Sequence, residues 1–102
     1  AFGNHEAFEI PQRDPKSSHV FHQYTLKING LDRDVLKEHL ANNGVPSMVY
    51  YPVPLNEQEA YKGVGKFPVT YDLCSRVLSL PMSTELTENQ IHTIIETTLK
   101  FR

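Results

Sequence analysis

Two prolines one residue apart, in Tyr50-Tyr51-Pro52-Val53-Pro54-Leu55-Asn56, constrain this chain more than any other feature in it. Each proline fixes φ and removes a backbone donor, so a strand that reaches Tyr51 must end there and leave its sheet extended. Two aromatic hydroxyls are thereby held together at a sheet's end. A stiff exit preorganises whatever it presents, which favours a site role for the tyrosines over a purely structural one.

The flanking pattern alternates short strands and helices. Residues 1–17 show no period, and Pro11, Asp14, Pro15, Ser17 and Ser18 read as a polar lead-in loop or linker, leaving a domain over residues 18–102. From His19 to Ile28 the chain alternates. Val20, His22, Tyr24, Leu26 and Ile28 share one strand face, and Phe21, Gln23, Thr25 and Lys27 the other. Asn29-Gly30 turns that strand into a helix capped by Asp32, with Leu31 set to staple against Leu36, and with Val35, Leu36 and Leu40 as its apolar stripe. Gly44 stops it and Pro46 prevents its continuation. Residues 47–51 read as a second strand, with Met48 and Tyr50 on one face and Val49 and Tyr51 on the other.

Asn56-Glu-Gln-Glu59 has the spacing of a cap and predicts a short helix to about Lys62, ended by Gly63-Val-Gly65. Pro68 suits a first helical position, and Val69, Leu73 and Val77 give a further helix, followed by a strand at Leu78–Leu80 that Pro81 closes. Thr87-Glu-Asn-Gln90 is a capping box. Ile91, Ile94, Ile95, Thr98 and Leu99 follow at helical spacing, with Lys100 and Arg102 complementing the C-terminal dipole. The expected class is α+β, a small mostly antiparallel sheet of three or four short strands with helices packed on it.

Composition excludes several functions. At 102 residues and 39% hydrophobic content the chain closes one modest core. A net charge of −2 with no basic stripe argues against nucleic acid, and no apolar run approaches the roughly 20 residues a membrane span needs. A single cysteine, Cys74, fits a reducing cytoplasm. There is no Gly-rich phosphate loop, no Gly-x-Ser-x-Gly elbow and no His-Glu-x-x-His helix. His19 and His22, three apart on an expected strand, point to opposite faces and make a poor metal pair, so no metal is expected.

The candidate site residues each carry two readings. Tyr50 and Tyr51 alternate in direction, so at most one faces the core while the other meets a ligand or neighbouring domain. His22, Gln23 and Tyr24 form either a hydrogen-bonded core network or ligand contacts. Asn56 either caps its helix or touches ligand.

Ser18-His-Val-Phe-His-Gln-Tyr24, Tyr50-Tyr-Pro-Val-Pro-Leu55, Phe67-Pro-Val69, Val77-Leu-Ser-Leu-Pro-Met82 and Glu85-Leu-Thr87 together resemble the C-terminal small domain of DegT/DnrJ-type sugar aminotransferases, a branch of the fold-type I enzymes. The resemblance runs from about His19 to Phe101. It implies amino transfer, in most members from glutamate, to a keto group on a nucleotide-linked sugar, with pyridoxal phosphate as cofactor and a homodimer as the working unit. It also implies that the Schiff-base lysine and the aspartate on the pyridine nitrogen belong to a large domain. None of the six lysines here has apolar, serine-flanked surroundings, so no cofactor is expected in this chain alone and no catalytic residue is assigned to it.

By the same resemblance Tyr50 and Tyr51 border the substrate cleft, with His22, Gln23 and Tyr24 carried over more weakly. Asn56 stands where many relatives have histidine. The Met-less start Ala1-Phe-Gly-Asn is read as that of a fragment. Two rivals remain: a free-standing binding module of the same architecture, and the small domain of an amino-acid aminotransferase. The latter would need an arginine as carboxylate clamp, yet Arg13, Arg33, Arg76 and Arg102 all read as surface residues.

Overall fold

The computed structural model describes residues 1–101. Three strands and three α-helices follow in the order β1 (Phe8–Glu9), β2 (Tyr24–Ile28), α1 (Arg33–Asn42), α2 (Pro68–Arg76), β3 (Val77–Leu80) and α3 (Glu88–Lys100), with two 3-10 turns at Leu55–Glu57 and Glu59–Tyr61. The sheet runs β1-β2-β3 and both pairings are antiparallel. This is the α+β architecture expected from the sequence.

β2 is the central strand because its alternation is strict where it matters. Leu26 and Ile28 are buried and Tyr24 packs against the core from the same face, while Lys27 reaches from the other face to Glu9 across the β1–β2 ladder. Asp32 caps α1 as its position predicts, its carboxylate accepting from the Asp34 and Val35 N–H groups at 2.8 and 3.1 Å. Leu36 and Leu40 point inward and are fully buried. Gly44 ends the helix at φ +75°, and the Val45 N–H returns to the Leu40 carbonyl at 2.9 Å, closing the turn that only a left-handed residue permits. α3 begins with the predicted capping box, Thr87 and Gln90 exchanging side-chain and backbone hydrogen bonds. It lays Ile94, Ile95, Leu99 and the buried Thr98 on the core. Arg102, expected to assist its C-terminus, lies outside the described residues.

Several expectations need correction. Residues 1–17 are not a linker throughout: Phe2, Ala7 and Phe8 are buried in the core, and Phe8–Glu9 forms the edge strand. A two-residue strand is too brief to show a period. The strand expected from His19 begins only at Tyr24. Phe21 takes a left-handed φ of +49° that interrupts the extended run, so Val20, 89% exposed, shares no face with Leu26. The strand expected over residues 47–51 reduces to one bridge, Met48 to Ser79, because β3 is short and Pro46 and Pro52 supply no donors on either side.

The helix expected after Asn56 is two separate 3-10 turns, and Asn56 caps neither; it sits inside the first. Val35 and Val69 are exposed rather than part of their helices' inner stripes. Arg33, read as a surface residue, is buried. Its guanidinium donates to the Cys74 and Val77 carbonyls at 3.1 and 3.2 Å and pairs with Asp34, fastening the first turn of α1 to the joint between α2 and β3.

Candidate functional site

At the end of the sheet where β2 begins and β3 stops, three segments converge on an open groove of about 260 Å³. His22 and Gln23 enter from the bend before β2. Ser47, Met48 and Tyr50 come from the arm after α1, and Ser79, Leu80 and Met82 from β3 and its exit. The arm is held there by the Met48–Ser79 bridge, whose two backbone hydrogen bonds measure 3.0 and 2.7 Å. Pro52 and Pro54 then carry the chain away, as the sequence requires.

The groove gathers three of the six expected site residues, His22, Gln23 and Tyr50. Neither His22 nor Gln23 is a core residue; both are exposed, because the strand does not reach them. Tyr24 faces a neighbouring cavity of about 360 Å³ shared with Phe2, Arg13, Phe21 and Ile94, and that cavity meets the groove along Leu80, Pro81 and Met82, which line both. Tyr50 and Tyr51 do not divide between core and outside as alternation predicts. Past the single bridge there is no strand to impose the alternation, and both are exposed, at 38% and 70%, with rings meeting edge to face at 5.7 Å.

Tyr51 lines a separate hollow with Val53, Leu55 and Cys74. Asn56 lies further along, donating to the Tyr71 hydroxyl at 2.9 Å and the Gly65 carbonyl at 3.4 Å. Those bonds brace the 55–65 loop against α2.

Two hydroxyls were missed from the sequence. Ser79 is buried and shares a 2.7 Å hydrogen bond with Thr25, so its partner is internal. Ser47 is buried too, yet its Oγ has no hydrogen-bond partner among the described residues. An unmade bond of that kind costs about 1–3 kcal/mol. The signal for Ser47 was present: it interrupts the apolar alternation of Val45 and Val49.

The groove's polar groups are an imidazole, a carboxamide, a phenol and hydroxyls, with no Lys or Arg among its lining. Such a set suits a neutral, polyhydroxylated ligand rather than a naked anion. The resolved titration shifts lie elsewhere. Hydrogen bonds from Arg76 hold the Asp72 carboxyl below its ordinary value, and Asp72 in turn raises Arg76; both sit on α2, away from the groove. Among the described residues no group of three or more His, Cys, Asp or Glu is placed to hold a metal ion, and no helix is long and apolar enough to cross a membrane.

The sheet order and the three helices give an α+β architecture that matches solved aminotransferase structures. Residues 1–99 match the DegT/DnrJ/EryC1/StrS aminotransferase family, and the chain belongs to it. It is 41% identical over 96 residues to the UDP-N-acetyl-3-dehydro-alpha-D-glucosamine 3-aminotransferase of Acidithiobacillus ferrooxidans, covering 89% of this chain and 26% of that one. It is 31% identical to the dTDP-3-amino-3,4,6-trideoxy-alpha-D-glucose transaminase of Streptomyces venezuelae, covering 85% and 24%. A DegT DnrJ EryC1 StrS aminotransferase from Brucella abortus superimposes with a TM-score of 0.81 at 35% identity, covering 91% and 26%. The chain thus spans about a quarter of the length of these relatives. The family is pyridoxal-phosphate dependent, and the Acidithiobacillus and Streptomyces homologues are nucleotide-sugar aminotransferases.

Proposed function

We propose that this chain is the C-terminal domain of a pyridoxal-phosphate-dependent aminotransferase acting on a nucleotide-linked keto sugar, in amino-sugar biosynthesis, and that it supplies one wall of the substrate cleft. The observation that carries this reading is the groove of His22, Gln23 and Tyr50 at the sheet's end, lined by no Lys, Arg, Asp or Glu, in a chain of this family. In it the imidazole, carboxamide and phenol bind and orient sugar hydroxyls, and the proline-stiffened arm fixes Tyr50 and Tyr51 before ligand arrives.

The cofactor fits a holder elsewhere in the enzyme. It needs an amine enclosed by a pocket, and none of the lysines here is buried: Lys27 is tied to Glu9, Lys100 to Glu96, and Lys16, Lys62 and Lys66 are exposed. When bound, pyridoxal phosphate supplies the amino-group chemistry; this chain's residues place the sugar. Glutamate as amino donor, a homodimeric enzyme and a cytoplasmic setting complete the reading.

The test is amino transfer by the protein in its full expressed length, given pyridoxal phosphate, glutamate and UDP- or dTDP-linked keto sugars, read as 2-oxoglutarate formed. Turnover is expected, with KM for the sugar raised several-fold by Tyr50→Ala and kcat less affected. Absence of transfer to every keto sugar tried would overturn the reaction. In a second experiment the 102-residue chain is incubated with pyridoxal phosphate, reduced and weighed by mass spectrometry. One cofactor fixed per chain at a single lysine would overturn the assignment of the cofactor to the rest of the enzyme.

A further inference from the structure

Beyond the arm the chain reads Tyr61-Lys62-Gly63-Val64-Gly65-Lys66-Phe67, and the core does not use its two aromatic rings. Tyr61 is 52% exposed and Phe67 46%, yet both line a cavity of about 280 Å³ together with Leu55, Asn56 and Thr70. The Phe67 ring is set in place rather than loose. Gly65, at φ +79°, lets the Phe67 ring approach so closely that a Cβ there would meet it at 3.3 Å, and Asn56 donates to the Gly65 carbonyl. Lys62 and Lys66, flanking the two glycines, are exposed, and among the described residues neither has a carboxylate within ion-pair distance.

We infer that this cavity receives the nucleoside diphosphate end of the ligand, the base lying against the Tyr61 and Phe67 rings and the phosphate oxygens meeting the Lys62 and Lys66 ammonium groups. Its volume falls just below the roughly 300–1,000 Å³ of sites that enclose a whole ligand, which suits one planar base. Planar rings stack on any base, and free ammonium groups supply the cationic complement that the groove at Tyr50 lacks. The two ends are joined by one surface. Leu55 and Thr70 line both this cavity and the hollow at Tyr51, and the Tyr51 ring touches Tyr50 at the groove. The assignment rests on the nucleotide-sugar reading above and divides that substrate between two places on the chain.

Isothermal titration of the protein in its full expressed length with UDP and with dTDP, at several salt concentrations, tests it. K62Q/K66Q is expected to weaken binding about tenfold and to flatten its salt dependence, since exposed charge contacts are the ones salt screens. Phe67→Ala is expected to weaken binding by a similar factor with the salt dependence intact. Circular dichroism confirms that each variant is folded, and Phe67→Leu, which keeps the apolar bulk without the ring, replaces Phe67→Ala if that variant is not. Unchanged affinity in folded variants, or failure of the parent protein to bind either diphosphate, overturns the inference. The two readings fail separately: diphosphate binding that responds to these variants without amino transfer sinks the reaction and keeps the subsite. Amino transfer whose KM ignores both variants does the reverse.

Discussion

Two stretches of similar apolar content behave in opposite ways. Residues 24–45, through β2 and α1, put Leu26, Ile28, Leu36, Leu40 and Val45 at 2% exposure or less. Residues 50–67 leave Tyr51, Val53, Leu55, Tyr61, Val64 and Phe67 between 46% and 70% exposed. The difference is periodicity. A repeat of two or of three and four turns apolar side chains to one side, where they share a core. Prolines and left-handed glycines prevent any repeat, so the same residue types are presented outward. An outward apolar stretch on a braced loop is a surface built to meet something.

The sharpest way to break this contrast is to truncate one leucine in each stretch. Leu36→Ala should lower unfolding free energy by about 2–5 kcal/mol, while Leu55→Ala should stay within about 0.5 kcal/mol, both by urea denaturation. Equal losses would mean that the arm is core after all. Arg33→Ala comes next, at about 1–3 kcal/mol, because it leaves the half-buried Cys74 and Val77 carbonyls without their donor. Thr87→Ala should cost about 1 kcal/mol by removing the cap of α3. Tyr51→Ala should leave thermal unfolding nearly unchanged and instead raise the sugar KM of the full enzyme, the signature of a presented rather than a packed ring.

The smallest effect concerns acid. Arg76 holds the Asp72 carboxyl low, so its contribution is complete above the ordinary carboxylate pKa and fades as pH falls through the lowered value. Asp72→Asn should therefore soften the acid limb of stability and leave neutral pH almost untouched, as read by denaturation at stepped pH.

What could be read in advance follows the same division. Asp32, Gly44, Pro68 and the Thr87 box act through backbone groups within a few residues of themselves, and each was legible. The Phe8–Glu9 strand was not, because its only partner lies across the sheet at Lys27 and Ile28. The β2 alternation was carried too far back because a single left-handed φ at Phe21 leaves no mark in residue type. Asn56 was expected to cap a helix and does not; its partner was not legible, since Tyr71 is fifteen positions away on another element. His22, Gln23 and Tyr50 could be named as candidates from their neighbours in the chain. Their meeting in one groove depends on the Met48–Ser79 bridge, a contact thirty-one positions long.

Arg33 carries a consequence for how this domain can change over time. One guanidinium nitrogen, Nη1, donates to carbonyls from both α2 and β3, three residues apart, so the spacing across that joint is gauged by a single donor group whose other nitrogens are held by Asp34. Insertion or loss of a single residue between Cys74 and Val77 would take one of the two carbonyls out of reach of Nη1 and rotate Leu78 off the core. Length variation among descendants of this sequence should therefore avoid this joint.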